Sequence, residues 1–124
     1  MRRELLLLRE MRDAAEQIRE LAGDLTADQP AVDKVRRSAL LWHFTVLGEA
    51  ANQVPAETRD AHPEVAWRSA TRMRNRIVHG YWNIDIETLL ATGEDDLPTM
   101  IARLANLIAS MQDAEGVSDP DRSV

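Results

Sequence analysis

Apolar positions recur at helical spacing along most of the 124 residues, and no stretch alternates long enough to suggest a strand. The first helix is expected from about Arg3 to Ala22, with Leu7, Met11, Ala14, Ile18 and Leu21 on one face. Gly23 and Asp24 end it. A polar turn through Thr26, Asp28 and Pro30 opens a second helix, roughly Ala31 to Val54. Its expected buried stripe includes Val35, Ala39, Trp42, Val46 and Ala50, while Gly48 and Ala51 allow close helix contact and Pro55 stops it. Pro55 to His62 reads as a connector with one helical turn. Pro63-Glu64 suits the first turn of a third helix, which carries Trp67, Ala70, Met73, Ile77 and Val78 to Gly80. After a turn at Tyr81 to Asn83, Asp85 caps a fourth helix from Ile86 to about Thr92. Asp95-Asp96-Leu97-Pro98 starts a fifth, to about Gln112, with Ile101, Leu104, Leu107, Ile108 and Met111 inward.

These elements predict an all-α fold, an up-and-down bundle of four to five helices over residues 1–113, followed by a flexible tail over 114–124. Short connections make successive helices antiparallel neighbours. Ile77 and Val78 are too apolar for a bare helix end. Either the fifth helix or a second copy of the chain is expected to cover them.

Composition narrows the chemistry. With aromatics at 4%, the core must be aliphatic, and with no cysteine there is no disulfide, thiolate metal site or cysteine nucleophile. The absence of cysteine fits a reducing compartment, and the expected location is the cytoplasm. No run approaches the ~18 apolar residues of a membrane span, and the apolar start Leu5 to Leu8 is too short for a leader. The net charge of −6 excludes a general nucleic-acid coat. Fourteen of the fifteen basic residues are Arg, a bias that base composition explains in the main. Four of them still cluster locally, Arg68, Arg72, Arg74 and Arg76, which suits one anionic ligand site.

Around that cluster, Arg74, Asn75, His79 and Tyr81 combine a fixed cation, an amide, an imidazole and a phenol in eight residues. A phosphodiester calls for this set: charge for the phosphate, a proton carrier and hydrogen-bonding groups. On a helix Asn75 and His79 share a face, whereas Arg74 lies about 140° around the axis from His79, so its long arm must reach round or a cation must come from another subunit. The helix dipole favours protonated His79 and the arginines oppose it. Tyr81, just past the helix end, is expected to present its hydroxyl. His43, His62 and His79 are too dispersed for a metal site, and Ser69 and Ser110 lack a nucleophile elbow. Blander roles exist for each residue. A histidine at a helix end is more often a cap than a catalyst, and arginines on one helix are more often a solvated face. His43 reads as a half-buried residue, His62 as a loop residue, Glu49 as a surface charge, and Trp42, Trp67 and Trp82 as packing residues.

Arg74 to His79, Arg-Asn-Arg-Ile-Val-His, resembles the Arg-polar-x-x-x-His signature of HEPN domains, and Gly80-Tyr81 completes the Arg-x-x-x-x-His-x-Tyr form of HepT-like toxins. Leu47-Gly48-Glu49-Ala50-Ala51 and His62-Pro63-Glu64-Val65-Ala66-Trp67 also agree, so the resemblance spans roughly residues 5 to 112. It implies a HEPN-like bundle and a metal-independent endoribonuclease, the toxin of a type VII-like toxin–antitoxin system with tRNA as a target class. It further implies a homodimer whose motif helices line one cleft, with Arg74, Asn75 and His79 catalytic and no cofactor. Arg68, Arg72 and Arg76 would bind RNA phosphates. The partner would be a small nucleotidyltransferase antitoxin that silences the toxin by adding AMP to Tyr81. Two alternatives stand beside this reading: a non-catalytic HEPN nucleotide- or substrate-binding subunit of a nucleotidyltransferase complex, and a plain helical scaffold with a basic interaction face.

Overall fold

The computed structural model of the protein describes residues 2–23, 34–84, 91 and 96–114. The described residues are all-α. Helix α1 is Arg2–Gly23, α2 Lys34–Gln53, α3 Ala56–Ala61, α4 Trp67–Gly80 and α5 Leu97–Ala114, with a 3-10 turn at Tyr81–Asn83 after α4. The expected turn through Thr26, Asp28 and Pro30, the Asp85 cap with its helix Ile86–Thr92 apart from Ala91, and the tail from 115 onward lie outside the described residues. No described helix is long and apolar enough to cross a membrane.

Helix α2 is the centre of the bundle. It packs against α1 on one side and α4 on the other, and α1 in turn packs against α5. Two pairings fix the antiparallel sense. Arg3, at the start of α1, donates to Gln53 at the end of α2 (3.0 Å). Arg37, near the start of α2, donates to the Tyr81 carbonyl just after α4 (3.1 Å). The core is aliphatic apart from Phe44 and Trp67, with Leu8, Met11, Ile18, Leu40, Leu41, Leu47 and Leu104 almost fully shielded.

The observed faces bear out the expectation on α1 and correct it in part on α2. On α1 the stripe centres on Leu8, Met11, Ala15 and Ile18, with Ala14 also buried and Leu7 and Leu21 at its margins. On α2 the expected stripe holds at Ala50 and, packed against the core, at Val46, but fails at Val35 and Trp42. Leu40, Leu41, Phe44, Leu47, Gly48 and Ala51 are buried together with Ala50, whereas Val35 is 80% exposed and Trp42 63% exposed. Val35 and Trp42 lie well round the helix from Leu40, Phe44 and Leu47, and both sides carry apolar residues. Periodicity cannot choose between them. The need to cover both α1 and α4 does, and the larger aliphatic set wins. On α5 the expectation stands: Leu104, Leu107 and Ile108 are buried, with Ile101 and Met111 packed beside them.

The third long helix starts later than Pro63-Glu64 suggests. The His62 carbonyl accepts from the Val65 amide (3.3 Å) and from the Trp67 indole (2.9 Å), which closes residues 62 to 66 into a turn. Val65, 2% exposed, anchors that turn in the core. Ala66, at φ −82° and ψ 61°, is not helical, so α4 begins at Trp67. The connector before it does contain the expected helical turn. There the Arg59 amide donates to the Pro55 carbonyl (3.1 Å), and the Thr58 hydroxyl donates to Glu4 of α1 (3.0 Å).

Gly48 sets the approach of α2 to α4. A Cβ there would collide with the Arg74 Cβ and lie 2.5 Å from the Ala70 carbonyl oxygen. Because one obstacle is backbone, the helices must part to admit a methyl group. Gly48→Ala is therefore expected to cost about 1–3 kcal/mol, read from urea unfolding; an unchanged midpoint would contradict this packing.

His43, half-buried on α2, is held below the usual 6.5 by burial, which disfavours the imidazolium. The unfolded chain therefore takes up more protons than the fold as pH falls through 6.5. Stability should decline there and level off below the folded-state pKa. His43→Gln is expected to flatten that part of the stability–pH curve; an identical slope in the variant would contradict the assignment.

Candidate functional site

Helix α4 is polar and basic on its outer side and buries Trp67, Ala70 and Ile77 toward α2. Its length places the motif at its C-terminal end. There Gly80, at φ −142°, passes the chain directly into the 3-10 turn without entering the left-handed region. The expected glycine stop is thus a tightening of the helix, not a reversal of the backbone.

Arg74 points back to α2. Its Nε is shielded from solvent and stands 3.2 Å from Glu49 Oε2, as an ion pair and not an aligned hydrogen bond. Its Nη1 donates to Asn75 Oδ1 at 2.9 Å. Gln53 Nε2 donates to the other Glu49 oxygen at 3.3 Å. Asn75 and His79, one turn apart, are both exposed. His79 makes no hydrogen bond or ion pair among the described residues, so its imidazole is open to a ligand. Arg68, Arg72 and Arg76 are likewise exposed and without such a contact among the described residues. The structure thus gathers Arg74 and Asn75 into one contact and leaves His79 a turn further along, as the helical spacing requires.

Tyr81 sits in the turn after α4, half-buried and packed against the core. Arg37 of α2 covers it, with the guanidinium carbon 5.3 Å from the ring centroid and Nη2 bonded to the Tyr81 carbonyl. This is a cation–π contact joined to a backbone hydrogen bond. Neither Arg37 nor Glu49 stands out in the sequence as part of a site. The adjacent Arg36-Arg37 pair and the Gly48-Glu49 step are the available signals. Both residues become visible only when α2 is laid antiparallel along α4.

Among the described residues no group of three His, Cys, Asp or Glu side chains comes close enough to hold a metal ion. His62 Nδ1 pairs with Glu64 at 3.1 Å in the turn before α4. Trp67 packs in the core, but Trp42 lies on the surface, and the Trp82 side chain is outside the described set.

Comparison with known proteins bears on what this arrangement is for. A protein of Thermococcus cleftensis named "Probable ribonuclease HepT" is 28% identical over 100 residues, 81% of this chain and 91% of its own length. A Methanocaldococcus jannaschii protein named "Putative RNase MJ0127" is 27% identical over 106 residues, 86% of this chain and 84% of its own length. No solved structure matches at a significant level. The family model described as "Ribonuclease HepT-like" matches residues 11–107, a span that takes in all of α2, α3 and α4 together with the Arg74–His79 segment. By that match the chain belongs to the HepT-like ribonuclease family.

Proposed function

We propose that the protein is a metal-independent endoribonuclease toxin that cleaves RNA, with tRNA as its target, through Arg74 and His79 at a homodimer cleft. The observation that carries this reading is the state of the motif helix in a chain of this family. One arginine is held in place beside an amide, and an unengaged imidazole lies one turn away.

The chemistry follows from these groups. Cleavage requires that the 2′-hydroxyl lose a proton as it attacks phosphorus and that the departing 5′-oxygen gain one. One imidazole does not readily serve both ends of an in-line displacement. Two copies of His79 across a two-fold axis would, one as base and one as acid. Arg74 would offset charge building on the phosphoryl oxygens, and Asn75 would orient phosphate or imidazole. Arg68, Arg72 and Arg76, all exposed, would track the backbone of the RNA.

Exposed apolar side chains favour a second copy as the cover. Val35 and Trp42 are seven residues apart on α2 and so project in nearly the same direction, on the side that also carries Glu49. Val78, half-exposed, adjoins His79. A partner seated on these residues would bring a second motif helix near the first.

Tyr81 would be the control point. AMP added there by a small nucleotidyltransferase partner puts a bulky anion beside the basic helix, where it would compete with RNA phosphate. The Arg37 guanidinium already over the ring is a cation placed to receive it.

Purified protein is expected to cleave total tRNA equally well with and without EDTA. His79→Ala should lose about a hundredfold or more, and Arg74→Ala about as much, both with unchanged melting. Full activity in either variant would contradict the role assigned to that residue. A mixed dimer with one His79→Ala subunit should be nearly inactive; half activity would show that the two imidazoles work independently. Tyr81→Phe should cleave RNA yet escape the partner enzyme, and a variant still silenced would rule out modification at Tyr81.

A further inference from the structure

Of the four arginines on α4, three are exposed and free of hydrogen bonds and ion pairs among the described residues. Only Arg74 is held. Its restraint belongs to a line of polar contacts that crosses three helices: Arg3 Nη2 to Gln53 Oε1 at 3.0 Å, Gln53 Nε2 to Glu49 Oε1 at 3.3 Å, Glu49 Oε2 to Arg74 Nε at 3.2 Å, and Arg74 Nη1 to Asn75 Oδ1 at 2.9 Å. The line exists because Gly48 lets α4 come into contact with α2 at the Ala70 carbonyl and the Arg74 Cβ, next to Glu49. We infer that Glu49 is a positioning residue for the cleavage reaction, holding the Arg74 guanidinium by its Nε edge so that Nη2 stays free to meet the phosphoryl oxygens. This inference rests on the ribonuclease reading above.

Two other roles for the pair fit less well. A stability role is weak, because the side chains are 32% and 46% exposed and an ion pair that wet contributes little. A binding role has the wrong sign, because a carboxylate beside the cleft repels an anionic substrate. What Glu49 can supply is geometry. Arg74 starts about 140° around α4 from His79, and an unrestrained arm would sample many rotamers before meeting the phosphate. Pinning Nε and Nη1 removes that search, which acts on the chemical step and not on RNA capture.

The test is Glu49→Gln, which preserves size but removes the charge and one of the two acceptor oxygens that face Gln53 and Arg74. With total tRNA as substrate, kcat is expected to fall about tenfold or more, with KM unchanged or lower and the melting temperature unaltered. In an Arg74→Ala background the same change should have no further effect, because the two residues act as one unit. A readout independent of activity is the Arg74 Nε–H resonance, assigned by its loss in Arg74→Lys. It should be the most slowly exchanging of the α4 arginines in the native protein and should lose that protection in Glu49→Gln. An Arg74 signal averaged with those of Arg68, Arg72 and Arg76 would overturn the inference whatever the activity. So would unchanged or raised kcat in Glu49→Gln while Arg74→Ala and His79→Ala abolish cleavage, an outcome that leaves the ribonuclease reading intact. Intact cleavage in Arg74→Ala and His79→Ala would remove both.

Discussion

The crossing of α2 and α4 at Gly48 is the constraint on which the rest of the structure depends. With no room for even a methyl group between Gly48, the Ala70 carbonyl and the Arg74 Cβ, the two helices lock in one register. That register has two consequences. At one end of the contact Glu49 meets Arg74. At the other Arg37 meets Tyr81. Glu49 and Arg37 both come from α2, and both contacts follow from a single packing decision in the core.

The division of labour along α4 is physical. Its inner side, Trp67, Ala70 and Ile77, is buried and belongs to the fold. Its outer side carries charged and polar groups at little cost, because water solvates them. Between these lies Arg74, partly shielded and partly wet, the one cation of the cluster whose direction the bundle dictates. His79, two residues beyond the last buried side chain, needs only to be reachable. A restrained cation on the same helix as an unengaged imidazole suits phosphoryl chemistry, where positioning and charge stabilisation account for most of the rate.

How much of this is legible in the sequence depends on how strongly each segment contrasts with its surroundings. Helix α5 alternates polar and apolar residues clearly, and its inward face, Leu104, Leu107 and Ile108, can be read directly. Helix α2 carries apolar residues on more than one side, so Val35 and Trp42 look as fit for burial as Leu40 and Phe44, and only the neighbours on two sides decide between them. Proline at 63 suits a helix start in isolation and so misplaces the beginning of α4, whereas the Trp67 indole reaching back to the His62 carbonyl holds a turn there. The motif itself is fully visible as a string of residues, and the small side of α2 at Gly48 announces a close contact. Glu49 and Arg37 do not announce theirs, since their partners lie 25 and 44 positions away in the chain. No local pattern carries that information.

In the proposed reaction a guanidinium and an imidazole presented by α4 drive attack of a ribose 2′-hydroxyl on its own phosphodiester. The chemistry of the cut ends tests it most directly. Mass spectrometry of the RNA fragments is expected to find a 2′,3′-cyclic phosphate on the upstream fragment and a free 5′-hydroxyl on the downstream one. Fragments ending in a 3′-hydroxyl and beginning with a 5′-phosphate would mean that water, not the ribose, is the nucleophile, and would contradict this mechanism.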